Sequence, residues 1–168
     1  MAYVSYRPKT GTTTGVEIDA RRRRARPLRM KVPATADQLA VIRRRLFGWL
    51  EPLGVSSTVA ADIVLAVNEA CTNCIEHAYR GSKPGPMEIE AAVGRDSHGE
   101  QIAVCVADFG TWRTPPSGPT TRGRGLPIIS AISDGVDLER TSVGTTVRIE
   151  FALAGTGDEV QRPGSRTT

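Results

Sequence analysis

Glu69, Asn73 and His77 stand four residues apart in the stretch Asn68-Glu69-Ala70-Cys71-Thr72-Asn73-Cys74-Ile75-Glu76-His77-Ala78-Tyr79. The surrounding segment has a helical apolar period: Val59, Ile63, Ala66, Val67, Ala70, Cys74 and Ala78 recur at three- and four-residue steps. On a helix the three polar residues stack on one face, each a turn above the last. A carboxylate and a carboxamide in such a row can hold a hydrated divalent cation and orient a nucleophile beside it. Glu and Asn alone more often mark a solvated helix face. The order of segments further along the chain is the reason to favour chemistry here.

Ile102-Ala103-Val104-Cys105-Val106-Ala107-Asp108-Phe109-Gly110 reads as a buried strand ending in an acid and then a glycine. Thr121-Arg122-Gly123-Arg124-Gly125-Leu126-Pro127-Ile128-Ile129 reads as a glycine-broken loop opening an apolar helix. Glycines there let backbone N–H groups approach a phosphate, and a helix N-terminus adds a favourable field for anions. Gly144-Thr145-Thr146-Val147-Arg148-Ile149 leads into a last strand. Each segment alone is weak. The succession is specific: Glu-x-x-x-Asn on a helix, Asp-x-Gly after a strand, Gly-x-Gly-Leu, then Gly-Thr-Thr before a strand.

That succession, with Asn68-Glu69-Ala70, Asn73, His77-Ala78-Tyr79, Ile132 and Asp134, resembles the GHKL ATPase superfamily of gyrase, Hsp90, histidine kinases and MutL. Within it, the chain looks most like the small bacterial anti-sigma factors that double as serine-protein kinases. The resemblance spans roughly residues 28–153. It implies ATP and Mg²⁺ as cofactors, with Asn73 ligating the metal and Glu69 as general base or orienter of the attacking hydroxyl. It gives Asp108 a hydrogen bond from the adenine amino group and makes Gly110 room for the ring. It puts Gly123, Arg124 and Gly125 in a phosphate-covering lid, with Leu126 opening the helix behind, and Thr146 near the adenine. It also implies an anti-sigma factor antagonist as serine acceptor, a sigma factor held inactive, and a homodimer. The family's Asp-x-Gly-x-Gly becomes Asp108-Phe109-Gly110-Thr111-Trp112, so Trp112 stands where the second glycine would be, beside the nucleotide.

A chain of 168 residues supports one domain with one core. At 39% hydrophobic residues, no apolar run reads as long enough to span a bilayer, and no secretory leader opens the chain. Three cysteines in core-like contexts suggest reduced thiols and a cytoplasmic protein. Residues 1–30 hold eight basic residues against two acids, an excess larger than the +4 of the whole chain, so the remainder is net acidic. Residues 1–27 therefore read as a basic, disordered arm, and 154–168 as a disordered tail. A solvated leader is favoured over a nucleic-acid contact for the arm. Two other functions stand behind the kinase: a non-catalytic module that sequesters a partner, and a nucleic-acid regulator using the arginines.

The elements between the tails read as α+β, a two-layer sandwich of the Bergerat type with helices on one face of a mostly antiparallel sheet. Strand 28–32 precedes a helix over 35–53, capped by Thr35 or Asp37, with Leu39, Ile42, Leu46, Phe47 and Leu50 inward and Gly54 as its stop. Ser56 or Ser57 starts the next helix, which runs to Tyr79. Strands follow over 87–93 and 102–107 around a hairpin at Asp96–Gly99. A long loop over 111–122, with Pro115-Pro116 as a stiffener, is the natural lid. Helix 126–133 and strands 135–139 and 145–153 complete the sheet. Cys71 and Cys74 have zinc or redox spacing, but a single pair in mid-helix is better read as core thiols, and His77 as a structural hydrogen-bonder. Asp108-Phe109-Gly110 also spells the metal-binding triplet of eukaryotic-type kinases. The catalytic loop of that fold is missing, and there is no P-loop.

Overall fold

The alternating burial of the strands sets the architecture. Along β3 (Gly99–Asp108), Ile102, Val104, Val106 and Asp108 are buried while the residues between them are half-exposed, and β5 (Gly144–Ala152) buries Val147, Ile149 and Phe151. The computed structural model describes residues 15–97, 99–110 and 125–153. With β1 (Leu28–Pro33), β2 (Pro86–Asp96) and β4 (Gly135–Thr141), these strands form one antiparallel sheet in the order β1-β2-β3-β5-β4. Its buried face meets α2 (Gln38–Leu50), α3 (Ser57–Asn73) and α4 (Gly125–Ile132) in a core of Ile42, Leu46, Ile63, Val67, Ile89 and Phe151. The other face carries ion pairs such as Arg29–Glu90 at 2.9 Å and Lys31–Glu88 at 2.8 Å. The expected two-layer α+β sandwich is what the chain forms.

Local chemistry explains most boundaries. Ser56 Oγ accepts a hydrogen bond from the Val59 N–H at 3.3 Å and starts α3. Asp37 precedes α2 without capping it, because its carboxylate instead accepts from Gln38 Nε2 at 2.7 Å. The helix expected over 35–53 ends as an α-helix at Leu50 and tightens into a 3₁₀ turn at Glu51–Leu53, where Pro52 lacks the donor for another α turn. Gly54, at φ 61°, closes it. Leu39 and Phe47, expected inward, are only partly buried.

Two expectations need correction. Residues 1–27 read as a disordered arm in the sequence, yet Gly15–Arg24 form a helix, α1. Arg22 holds it down: buried, it donates to Leu53 O at 2.9 Å and to Gly54 O and Glu100 Oε2, both at 3.3 Å. Secondly, Ser57–Ala78 is a 22-residue helix, long and apolar enough by composition to cross a membrane. Its Ile63, Ala66, Val67 and Ala70 lie buried in the domain core, which accounts for that composition. The first half of the arm, the lid with Pro115 and Pro116, Trp112, Gly123, Arg124 and the tail lie outside the described residues.

Candidate functional site

The C-terminal end of α3 and the start of α4 meet at Glu69 and Asn73. A Cβ placed on Gly125 would stand 3.0 Å from Asn73 Nδ2, 3.2 Å from Asn73 Oδ1 and 3.4 Å from Glu69 Oε2. The first residue of α4 thus lies directly over both side chains, and any residue larger than glycine would press on them. Both are partly exposed, and among the described residues neither side chain makes a hydrogen bond or ion pair. A carboxylate and a carboxamide left uncommitted under a helix N-terminus can accept from a metal's water shell or a hydroxyl while the helix field favours an anion.

One wall away lies a cavity lined by Ala70, Asn73, Cys74, Asp108, Leu126, Leu138, Thr145 and Val147. Its volume is about 10 Å³, room for one water, so a larger ring enters only as the walls part. Asp108 and Thr145 are register partners on β3 and β5, both buried. Asp108 Oδ1 accepts from the Gly110 N–H at 3.1 Å, an Asx turn that aims the carboxyl. Thr145 Oγ1 is buried with no hydrogen-bond partner. A buried hydroxyl without a partner costs about 1–3 kcal/mol, so its presence beside an acceptor marks a place where a polar ligand edge fits.

Thr145 is a site residue that the sequence reading does not single out. Thr146 is the one expected near this pocket, but it lies on the opposite face of the sheet with Arg148 and Glu150, paired to Ala107 and Glu139. Alternation could have shown it: Val147, Ile149 and Phe151 are the apolar positions of β5, and Thr145 shares their parity.

After Asn73 the helix widens into a π turn, Cys74–Ala78. His77 lies within that turn, its Nε2 3.8 Å from Glu76 Oε2. Asn68 turns to α2, accepting from Arg43 Nη1 at 2.9 Å. Cys71 and Cys74 are free, buried core thiols. Burial pushes the Cys71 thiol up to about 12. It pushes Cys74 up as well, with the Asp108 charge adding to the effect. Neither is poised as a thiolate, and among the described residues no cluster of three His, Cys, Asp or Glu could hold a metal.

The π turn is braced against the end of β3. The Tyr79 hydroxyl donates to Pro86 O at 2.6 Å and accepts from the Phe109 N–H at 3.0 Å. Gly110 packs on the turn itself: a Cβ there would collide with the Ala78 carbonyl oxygen and carbon. Gly110 is expected from the sequence to make room for a ring; the described contact is with the Ala78 backbone, which cannot move aside cheaply. Gly110→Ala is therefore expected to destabilise the fold by about 1–3 kcal/mol, read as a thermal midpoint lowered by several degrees. Gly48→Ala, with nothing within 4 Å, is the control and should raise the midpoint, since alanine is about 1 kcal/mol better than glycine in a helix. Equal midpoints for wild type and Gly110→Ala would show that the contact is not tight.

Residues 32–151 match the family described as histidine kinase-like ATPase domain. The chain is 32% identical over 143 residues to a serine-protein kinase RsbW of Bacillus subtilis, covering 76% of this chain and 86% of that protein. It is 30% identical to the serine-protein kinase RsbW of Bacillus pumilus, over 74% of this chain and 85% of the other. A crystal structure of the RsbU and RsbW domains of a Mycobacterium tuberculosis protein superposes with a TM-score of 0.61 at 26% identity. That match covers 76% of this chain and 32% of the longer one.

Proposed function

The chain belongs to the family of histidine kinase-like ATPase domains, and from that premise we propose that it is an ATP-dependent serine-protein kinase of the anti-sigma factor type. The adenine end of ATP meets Asp108 and Thr145, and the phosphates lie towards Asn73 and the start of α4. The observation that carries this reading is the unpartnered Thr145 hydroxyl beside the Asp108 carboxyl. The pair offers a donor and an acceptor side by side, matching a ring nitrogen next to an exocyclic amino group. Asn73 holds Mg²⁺ through Oδ1. The residues present suit that ion, which takes few protein ligands and keeps waters and phosphate oxygens. When bound, Mg²⁺ neutralises charge on the transferring phosphoryl group. Glu69 accepts the proton of the attacking serine hydroxyl or orients it. Gly125 and Leu126 open α4 against the phosphates.

The phosphoryl acceptor in this reading is a serine of an anti-sigma factor antagonist. The protein acts in the cytoplasm as a homodimer that holds a sigma factor inactive. The name serine-protein kinase carried by relatives spanning three quarters of the chain supports the reaction class.

Competition between ATP and GTP, followed by tryptophan fluorescence, tests the nucleotide site. An acceptor at Asp108 pairs with the amino group of adenine and faces the carbonyl of guanine. Leaving a buried polar partner unpaired costs about 1–3 kcal/mol, which is roughly a ten- to hundredfold preference for ATP. Thr145→Val should weaken ATP while relieving the unpartnered hydroxyl of the free protein, so its thermal midpoint should not fall. Equal affinities for the two nucleotides, or no binding at all, would leave a partner-sequestering module as the better reading.

A further inference from the structure

Helix α1 and the arginines after it lie ahead of the matched family region, which begins at residue 32. They are nevertheless built into the domain. Besides the buried Arg22, Ile18 packs on the turn after α2: its side chain would lie 3.0 Å from a Cβ at Gly54. Docking α1 there creates a groove of about 660 Å³ against the end of α2 and its 3₁₀ turn, a size common among ligand sites. Its apolar walls include Ala20, Trp49 and Pro52, and its basic rim is Arg21, Arg24 and Arg26. Trp49 Nε1 donates to Arg26 O at 2.9 Å, so the polar edge of the indole is satisfied and its ring is left for packing. Among the described residues Arg24 and Arg26 have no acidic partner, and Arg21 has only Glu17, at 2.6 Å in an exposed pair that contributes little.

We propose that this groove docks an acidic, amphipathic segment of a partner protein. Its apolar side chains rest on Trp49 and Pro52, and its carboxylates meet Arg21, Arg24 and Arg26. The charge is complementary, since three arginines face one glutamate, and guanidinium forks suit carboxylates. The apolar wall favours a peptide over a nucleic acid, whose phosphates would use the rim and leave the indole and proline uncovered. The groove lies near the start of α3 and Asn73 at its end, 17 residues and about 25 Å away. The proposal is therefore independent of the nucleotide reading.

The test uses the full chain and a fluorescein-labelled 12-residue peptide of glutamates interleaved with leucine and alanine, read by anisotropy. The comparison probes are the same peptide with lysine for glutamate, the same with serine for leucine, and a 12-base-pair DNA duplex. Wild type should bind the acidic amphipathic peptide, and both altered peptides should bind about tenfold more weakly or worse. The exposed triple change Arg21→Glu, Arg24→Glu, Arg26→Glu should weaken the acidic peptide by about tenfold or more and leave ATP affinity unchanged. Trp49→Ala should also weaken it, with circular dichroism confirming that the variant is folded. Absence of binding, an unchanged affinity in the triple variant, or tighter binding of the duplex than of the peptide would each overturn the proposal, the last in favour of a nucleic-acid partner.

Discussion

Asn73→Ala is expected to abolish Mg²⁺-dependent turnover of ATP while leaving the fold intact. Asn73 is the last residue of α3, directly under Gly125, and no hydrogen bond among the described residues engages its carboxamide. Removing it costs the fold little; alanine is a slightly better helix former than asparagine, by at most about 0.7 kcal/mol. In the proposed site the loss falls elsewhere. Asn73 Oδ1 would be the protein's hold on a Mg²⁺ ion there, and without it the ion's charge would not be positioned by this side chain. Metal-mediated charge stabilisation contributes several kcal/mol to such transition states, which corresponds to about 10³-fold or more in rate. Calorimetric titration with Mg·ATP, together with a thermal melt, reads both halves of the expectation. An affinity and turnover like wild type would remove Asn73 as the ligand. A collapsed melt would show that the carboxamide is structural.

The parts of this site legible in the sequence are those that depend on a local period. Glu69 and Asn73 lie within the α-helical part of α3, where a four-residue spacing does place them one turn apart. The strands announce themselves by alternation, and the glycine stops by residue type. The illegible parts depend on contacts distant in sequence or on a change of period. The π turn at Cys74–Ala78 has no distinctive composition. The α1 helix is poor in apolar residues. It is held by the buried Arg22, which reaches carbonyls some thirty residues away, and by Ile18 against Gly54, contacts that no periodicity encodes. Gly110 stands out as a glycine, but the reason for it, the Ala78 carbonyl, comes from the neighbouring element. Thr145 and Thr146 are an intermediate case: strand parity decides between them, and the family pattern alone does not.

Glu69 separates the catalytic reading from the binding one. Glu69→Gln is expected to slow phosphoryl transfer by about 10²–10⁴-fold, the usual contribution of a general base, while changing ATP affinity by no more than a few-fold. The substitution keeps size and helix geometry. The carboxylate is partly exposed and, among the described residues, makes no ion pair that the amide would break, so stability should hold. The asymmetry between rate and affinity arises from when the contact forms. Glu69 Oε2 lies beside Gly125 and Asn73, at the phosphate end of the proposed site and away from Asp108 and Thr145, so it contributes to holding the adenine only weakly. In the proposed reaction its partner is the serine hydroxyl, which gains acidity only as the phosphoryl bond forms, so the interaction is strongest in the transition state and lowers the barrier without tightening the ground state. Single-turnover transfer of labelled phosphate to a serine-containing protein substrate, beside equilibrium titration with ATP, measures the two quantities separately. If Glu69→Gln lowers affinity and rate by the same factor, the residue serves binding alone. If the rate is unchanged, the proton leaves the serine by another route and Glu69 is not the base.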